Sequence, residues 1–98
     1  NYTVVLDNKK IGKAISAYVL INVDYKLLKE MKKTQRDLAK KLKLHQAVEE
    51  ASVITGETDT IIKVRVKDID ELNSLIEGYI RHLDGIDRTR TLVVLDEV

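Results

Sequence analysis

Ninety-eight residues make one small domain. Seventeen Lys and Arg stand against sixteen Asp and Glu, a net charge of +1, and 44% of the chain is apolar, which is ordinary for a soluble globular protein. Cys is absent and His occurs twice, which excludes a disulfide framework and thiolate chemistry and argues against a zinc site. No apolar run approaches the roughly 18–20 residues of a membrane span and no signal peptide opens the chain, so a cytoplasmic protein with no membrane partner is expected.

Tyr2–Leu6 (YTVVL) reads as a short strand and Asp7–Lys13 as a polar turn. Ile15–Val23 (ISAYVLINV) is apolar on both faces, the pattern of a central strand. Asp24 is a good N-cap. After it Leu27, Leu28, Met31, Leu38 and Leu42 recur at steps of three and four, which predicts an amphipathic helix over 25–43. That stretch carries eight basic residues from Lys26 to Lys43 against Glu30 and Asp37, a local +6, while Leu44–Val98 sums to −6. The basic run invites a nucleic-acid reading. Its Lys residues alternate with apolar ones at helical spacing, with Tyr25 the sole aromatic and at one end, which favours a solvated helix face.

Ala47–Ile54 (AVEEASVI) reads as a second strand. Gly56 centres a turn, and Thr60–Val66 (TIIKVRV) then alternates with Ile62, Val64 and Val66 on one face. The two strands form an antiparallel hairpin. Asp68 opens a second helix, with the acid at Glu71 in capping-box position. Its stripe runs through Ile69, Leu72, Leu75, Ile76, Tyr79, Ile80 and Leu83, and Gly85 stops it. Ile86–Leu95 is the last strand.

The fold class is therefore α+β, a ferredoxin-like β-α-β-β-α-β sandwich with an extra N-terminal strand. Residues 1–14 form that leading strand and turn, and 15–98 form the domain proper. Right-handed crossovers place both helices on one sheet face. The other face keeps apolar residues, Tyr18 and Leu20 among them, and asks for a second sheet. A homodimer through the sheet is expected, the more so because a chain this short buries only about two-thirds of its unfolded surface.

Catalytic constellations are missing. His45 and His82 sit at helix ends without neighbouring ligands. Glu49 and Glu50 point to opposite faces of a strand, and Asp68, Asp70 and Glu71 cap a helix, so neither set makes a converging acid–base pair. The four Gly are isolated, which excludes a phosphate loop. RNA binding through the sheet would need stacking aromatics that the later strands lack. The chain reads as no enzyme, with no cofactor and no metal.

Three motifs in order carry a resemblance: Ile54–Val66 (ITGETDTIIKVRV), Asp68–Leu83, and Gly85–Leu95 (GIDRTRTLVVL). They resemble the C-terminal effector domain of the Lrp/AsnC transcription regulators, the RAM domain, and Tyr2–Ile15 is similar to the hinge strand that joins it to the winged helix-turn-helix in that family. The resemblance implies a dimerising sandwich whose dimers often form octamers. It also implies an amino-acid effector held between dimers at the Gly-x-x-Asp turn. By that analogy Gly56, Glu57, Thr58 and Asp59 line the site, with Thr89 and Thr91 as further members. A Gly turn frees backbone N–H groups for an α-carboxylate, and Asp59 would accept the α-ammonium. The residues alone favour a plain hairpin in which Gly56 supplies φ > 0 and Asp59 caps the turn, and the resemblance is what tips the reading to an effector site.

Three features depart from the family pattern. Thr58 stands where an aromatic is usual, the stretch before the Gly turn is about half a dozen residues longer than expected, and the winged helix is not in the chain. The expected function is thus an amino-acid-binding and oligomerisation domain of a transcription regulator, as a fragment or standing alone, touching DNA only through a separate N-terminal domain. The alternative is an ACT-like amino-acid-responsive domain of a metabolic enzyme. The Arg-Thr-x-Thr strand and the hinge strand favour the first.

Overall fold

The computed structural model describes residues 14–98; the expected leading strand and hinge over 1–14 fall, but for Ala14, outside the described residues. Four strands form one antiparallel sheet in the order β2-β3-β1-β4: β1 Ile15–Val23, β2 Val48–Val53, β3 Thr60–Val66 and β4 Ile86–Val93. Between them lie helices α1 Tyr25–Glu30, α2 Gln35–Lys43 and α3 Ile69–Gly78, followed by a 3-10 turn at Ile80–His82. This is the expected ferredoxin-like order.

The hydrophobic pattern explains the layers. Ala17, Val19, Ile21 and Val23 of β1 and Ile62, Val64 and Val66 of β3 are buried under the helices. They meet Leu28 of α1, Leu38 and Leu42 of α2, Leu72, Leu75 and Ile76 of α3, and Ile80. Removing one of the fully enclosed side chains, as in Ile62→Ala, would cost about 2–5 kcal/mol. The register Val19↔Ile62 and Leu20↔Ile61 sends alternate residues to the opposite face. That face carries Tyr18, Leu20, Ile61 and the exposed Leu92, and no helix among the described residues covers it.

The single helix predicted over 25–43 is two helices. The first ends where Lys33 N–H donates to Leu28 O at 2.9 Å and Lys32 N–H to Lys29 O at 3.0 Å, with Lys32 left-handed at φ 59°. This pair of backward bonds around a left-handed residue closes a helix C-terminus. Thr34 then caps α2: its hydroxyl accepts from Asp37 N–H at 3.1 Å and Asp37 Oδ2 accepts from Thr34 N–H at 2.9 Å. The apolar steps continue through the break, which hid it, while Thr34-x-x-Asp37 is the local signal that overrides them.

The second predicted helix is also shorter. Asp68 caps it as expected, accepting from Glu71 N–H at 2.8 Å, but it ends at Gly78, and Ile80–His82 winds more tightly. Arg81 and His82 belong to that turn and not to the last turn of the helix. Gly85 has φ +102°, and a Cβ there would stand 2.6 Å from Leu28 Cδ2. It supplies both a left-handed bend and a close approach to the core. Its carbonyl accepts Asp24 N–H at 2.8 Å, tying the entry of β4 to the start of α1.

Candidate functional site

The turn between β2 and β3 is built from the backbone outward. Ile54 N–H donates to Asp59 O at 3.0 Å, closing the loop, and Asp59 N–H donates to Ile21 O at 3.0 Å, docking it on β1. Gly56 has φ +113° with open space where a Cβ would point, so its requirement is the conformation and not the room. Asn22 Nδ2 donates to Glu57 O at 2.6 Å and holds the tip of the turn.

Asp59 is the anchor of this corner. Its Oδ2 accepts Val23 N–H at 3.0 Å and its Oδ1 accepts the Tyr25 hydroxyl at 2.7 Å. Its carbonyl also accepts from Gln35 Nε2 at 3.2 Å. The hydrogen bond it donates to Asp59 holds the Tyr25 phenol above its ordinary pKa of 10.0, with partial desolvation and the carboxylate charge adding to it. Two of the four or so acceptor positions of the carboxylate are thus committed to the fold.

Beside the turn lies a groove of about 630 Å³ lined by Leu20, Asn22, Glu57, Thr58, Arg88, Thr89 and Arg90. Of the residues expected from the sequence, Glu57, Thr58 and Thr89 meet here. Gly56 and Asp59 shape the turn without lining the groove. Thr91 stands opposite Val19, on the helix-covered side of the sheet, and does not line it either. The groove gains Leu20, Asn22, Arg88 and Arg90, which sequence reasoning did not single out. Arg88 and Arg90 were visible within the Arg-Thr-x-Thr motif. Only the register Leu20↔Arg90 and Asn22↔Arg88 brings them to the turn.

A second depression of about 530 Å³ is lined by His45, Arg65, Glu71, Ser74 and Tyr79 among others. Its groups are largely spent on structure. His45 Nδ1 accepts Ala47 N–H at 3.0 Å and its ring rests 4.7 Å from that of Tyr79. Arg65 Nε donates to Glu49 Oε2 at 2.9 Å, and Glu71 Oε1 accepts Lys67 N–H at 2.5 Å. Among the described residues no group of His, Asp and Glu is placed to hold a metal ion, and no helix is long and apolar enough to cross a membrane.

Comparison with known proteins agrees with this architecture. A family model described as the Lrp/AsnC ligand binding domain matches residues 16–98. An uncharacterized HTH-type transcriptional regulator of Pyrococcus abyssi is 29% identical over 97 residues, covering 99% of this chain and 62% of its own length. The structure of AsnC from E. coli superposes with a TM-score of 0.75 at 29% identity, covering 91% of this chain and 56% of that one. A feast or famine regulatory protein of M. tuberculosis, complexed with L-methionine, has the same fold, with a TM-score of 0.74 at 24% identity over 99% of this chain and 60% of that one. The chain spans about three-fifths of the curated relatives it matches.

Proposed function

Because the chain belongs to the Lrp/AsnC ligand-binding domain family, we propose that it is the amino-acid-sensing and assembly domain of a transcription regulator, with residues 15–98 as the sensing unit and 1–14 as its hinge. The observation that carries this reading is the groove beside the Gly56 turn. Glu57 supplies a carboxylate for an α-ammonium, Thr58 supplies a hydroxyl, Thr89 borders the groove from its strand, and Arg88 and Arg90 supply cations for a carboxylate. Gly56 and Asp59 support the site by fixing the turn, and Thr91 supports the neighbouring strand. The domain performs no catalysis of its own, and DNA is reached through another domain of the regulator.

Assembly follows from the uncovered sheet face. Tyr18, Leu20, Ile61 and Leu92 on that face match the inner face of a two-sheet sandwich. A second copy laid on it gives a homodimer whose seam borders the groove, since Leu20 lies on both, and dimers join further into a ring. The test is a calorimetric screen of the twenty amino acids, with light scattering on the same samples. At least one amino acid binds, and Glu57→Gln weakens it on the order of tenfold. A screen in which none binds, or a strict 11.2 kDa monomer, overturns the sensing or the assembly half of the proposal respectively.

A further inference from the structure

The helix layer carries a charge that the sensing groove does not use. From Lys26 to Lys43 eight basic residues stand against Glu30 and Asp37, and all eight are exposed. They belong to α1, α2 and the link between them, on the side of the sheet opposite the face that takes the second copy. A sheet-to-sheet dimer therefore leaves this layer on its outside. The ion pairs among the described residues, Lys63–Glu97, Arg65–Glu49 and Arg81–Glu77, include none of the eight.

A merely solvated face would mix acids among these cations; the structure sorts them instead. One flank of α2 borders a depression lined by Lys33, Asp37, Lys41 and Asp84 among others, so two acidic residues attend its two cations. The other flank borders a trough of about 340 Å³ between α2 and the edge strand β2, lined by Arg36, Ala39, Lys40, Lys43, Ala51 and Val53. Three basic residues line it and no acidic one does. Arg36, Lys40 and Lys43 follow one another at steps of four and three, a single stripe of the helix, and their Cα atoms span about 10.5 Å. A row of cations without acids repels a second copy of itself and attracts a polyanion. Each strand of a duplex offers a phosphate every ~3.4 Å of axis, so the row is long enough to meet two or three. We infer that the trough between α2 and β2 is a docking surface for the phosphate backbone of duplex DNA. The choice of DNA rests on the proposed regulator function, in which another domain of the same protein holds the duplex nearby. Base reading stays with that domain; the trough adds a hold that is blind to sequence, because phosphates carry no sequence information.

The test is fluorescence anisotropy of a labelled short duplex titrated with the 98-residue chain. Two unrelated sequences are bound equally, and affinity falls on the order of 10- to 40-fold between about 50 and 200 mM salt, the slope of two to three phosphate contacts. The triple variant Arg36→Gln, Lys40→Gln, Lys43→Gln weakens binding at the lower salt on the order of tenfold and flattens the slope. The triple variant Lys26→Gln, Lys33→Gln, Lys41→Gln removes the same charge from elsewhere in the layer and keeps most of the affinity. Equal losses in the two variants trace the binding to net charge alone and overturn the inference. Absence of duplex binding at the lower salt overturns it, as does discrimination between the two sequences. Poly-glutamate bound as tightly as the duplex assigns the trough to an acidic protein segment and overturns it too. Light scattering on the same samples covers the remaining occupant: loss of a higher assembly in the trough variant alone places the trough between dimers instead of on DNA, and overturns the inference as well. None of these outcomes touches the amino-acid screen, so the sensing function stands or falls separately.

Discussion

Tyr25 and Asp59, thirty-four residues apart, are joined by a 2.7 Å hydrogen bond from the phenol to the carboxylate. With Val23 N–H on the other carboxylate oxygen, this bond clamps the β2–β3 turn to the start of α1. An Asp that the Gly-x-x-Asp pattern offers as an ammonium partner is therefore first a fastener. Asp59→Ala removes the acceptor of two donors at once. The expected loss is about 0.5–1.5 kcal/mol of stability, the usual net worth of a hydrogen bond, and it comes from the part-buried Val23 N–H, since water replaces the partner of the exposed phenol. Thermal melts should show it without any ligand present, and an unchanged melting temperature would contradict the clamp.

The same bond has a pH signature. Asp59 favours the protonated phenol, so the Tyr25 pKa lies above 10.0. A group whose pKa is raised on folding adds stability that is complete below its unfolded value and fades as pH rises through the folded one. The window is therefore above pH 10.0. Tyrosinate absorbance of the wild type minus that of Tyr25→Phe should show a late-titrating phenol, and Asp59→Asn should shift it back down.

The opposite sign holds at Asp37. Hydrogen bonds from the Thr34 backbone and hydroxyl, aided by Lys33 and Lys40, hold its carboxyl below 3.8. Its contribution is complete above that value and is lost as pH falls through the depressed one. Thr34→Ala removes the reciprocal cap and should cost about 1 kcal/mol, measurable by chemical denaturation. The same substitution should raise the Asp37 carboxyl pKa, followed by its side-chain NMR titration.

Some of this was legible in the residues. The alternation of TIIKVRV placed β3 with its bounds intact, because a strand buried on one face has a period of two that nothing else in the segment imitates. Asp68 and Glu71 marked the start of α3 by local chemistry alone. The break at Lys32 was not legible, since a left-handed Lys has no composition signal and the apolar steps on either side keep helical phase. The groove was half legible: Glu57 and Thr58 share one turn, but Leu20 and Arg90 are neighbours only through the β1–β4 register.

Lys32 itself gives a prediction of gain. It occupies a left-handed position at φ 59° that closes α1, where a side chain costs roughly 1–2 kcal/mol. Its own side chain is exposed. Lys32→Gly relieves the strain while raising unfolded-state entropy, and a net gain of a few tenths to about 1 kcal/mol is expected. Gly85→Ala is the counterpart: a residue at φ +102° whose new methyl meets Leu28 should lower stability by about 1–3 kcal/mol. Denaturant midpoints of the two variants should move in opposite directions.

Thr60 closes the account of the core. It is fully enclosed on β3, in the row with Ile62 and Val64, and its hydroxyl oxygen is the buried side-chain polar atom without a hydrogen-bond partner among the described residues. A buried hydroxyl with no partner has lost its hydration and gained nothing in return. Thr60 stands opposite Ile21 and Val53 in the sheet, an apolar setting in which a methyl would be at home. Thr60→Val keeps the shape and the β-branched preference for a strand while removing the orphaned group. Stability should therefore rise, by about 1 kcal/mol, with no change in the cooperativity of unfolding. A drop of similar size would mean that the hydroxyl is satisfied in solution, by a buried water or by a contact that forms only in the assembled protein.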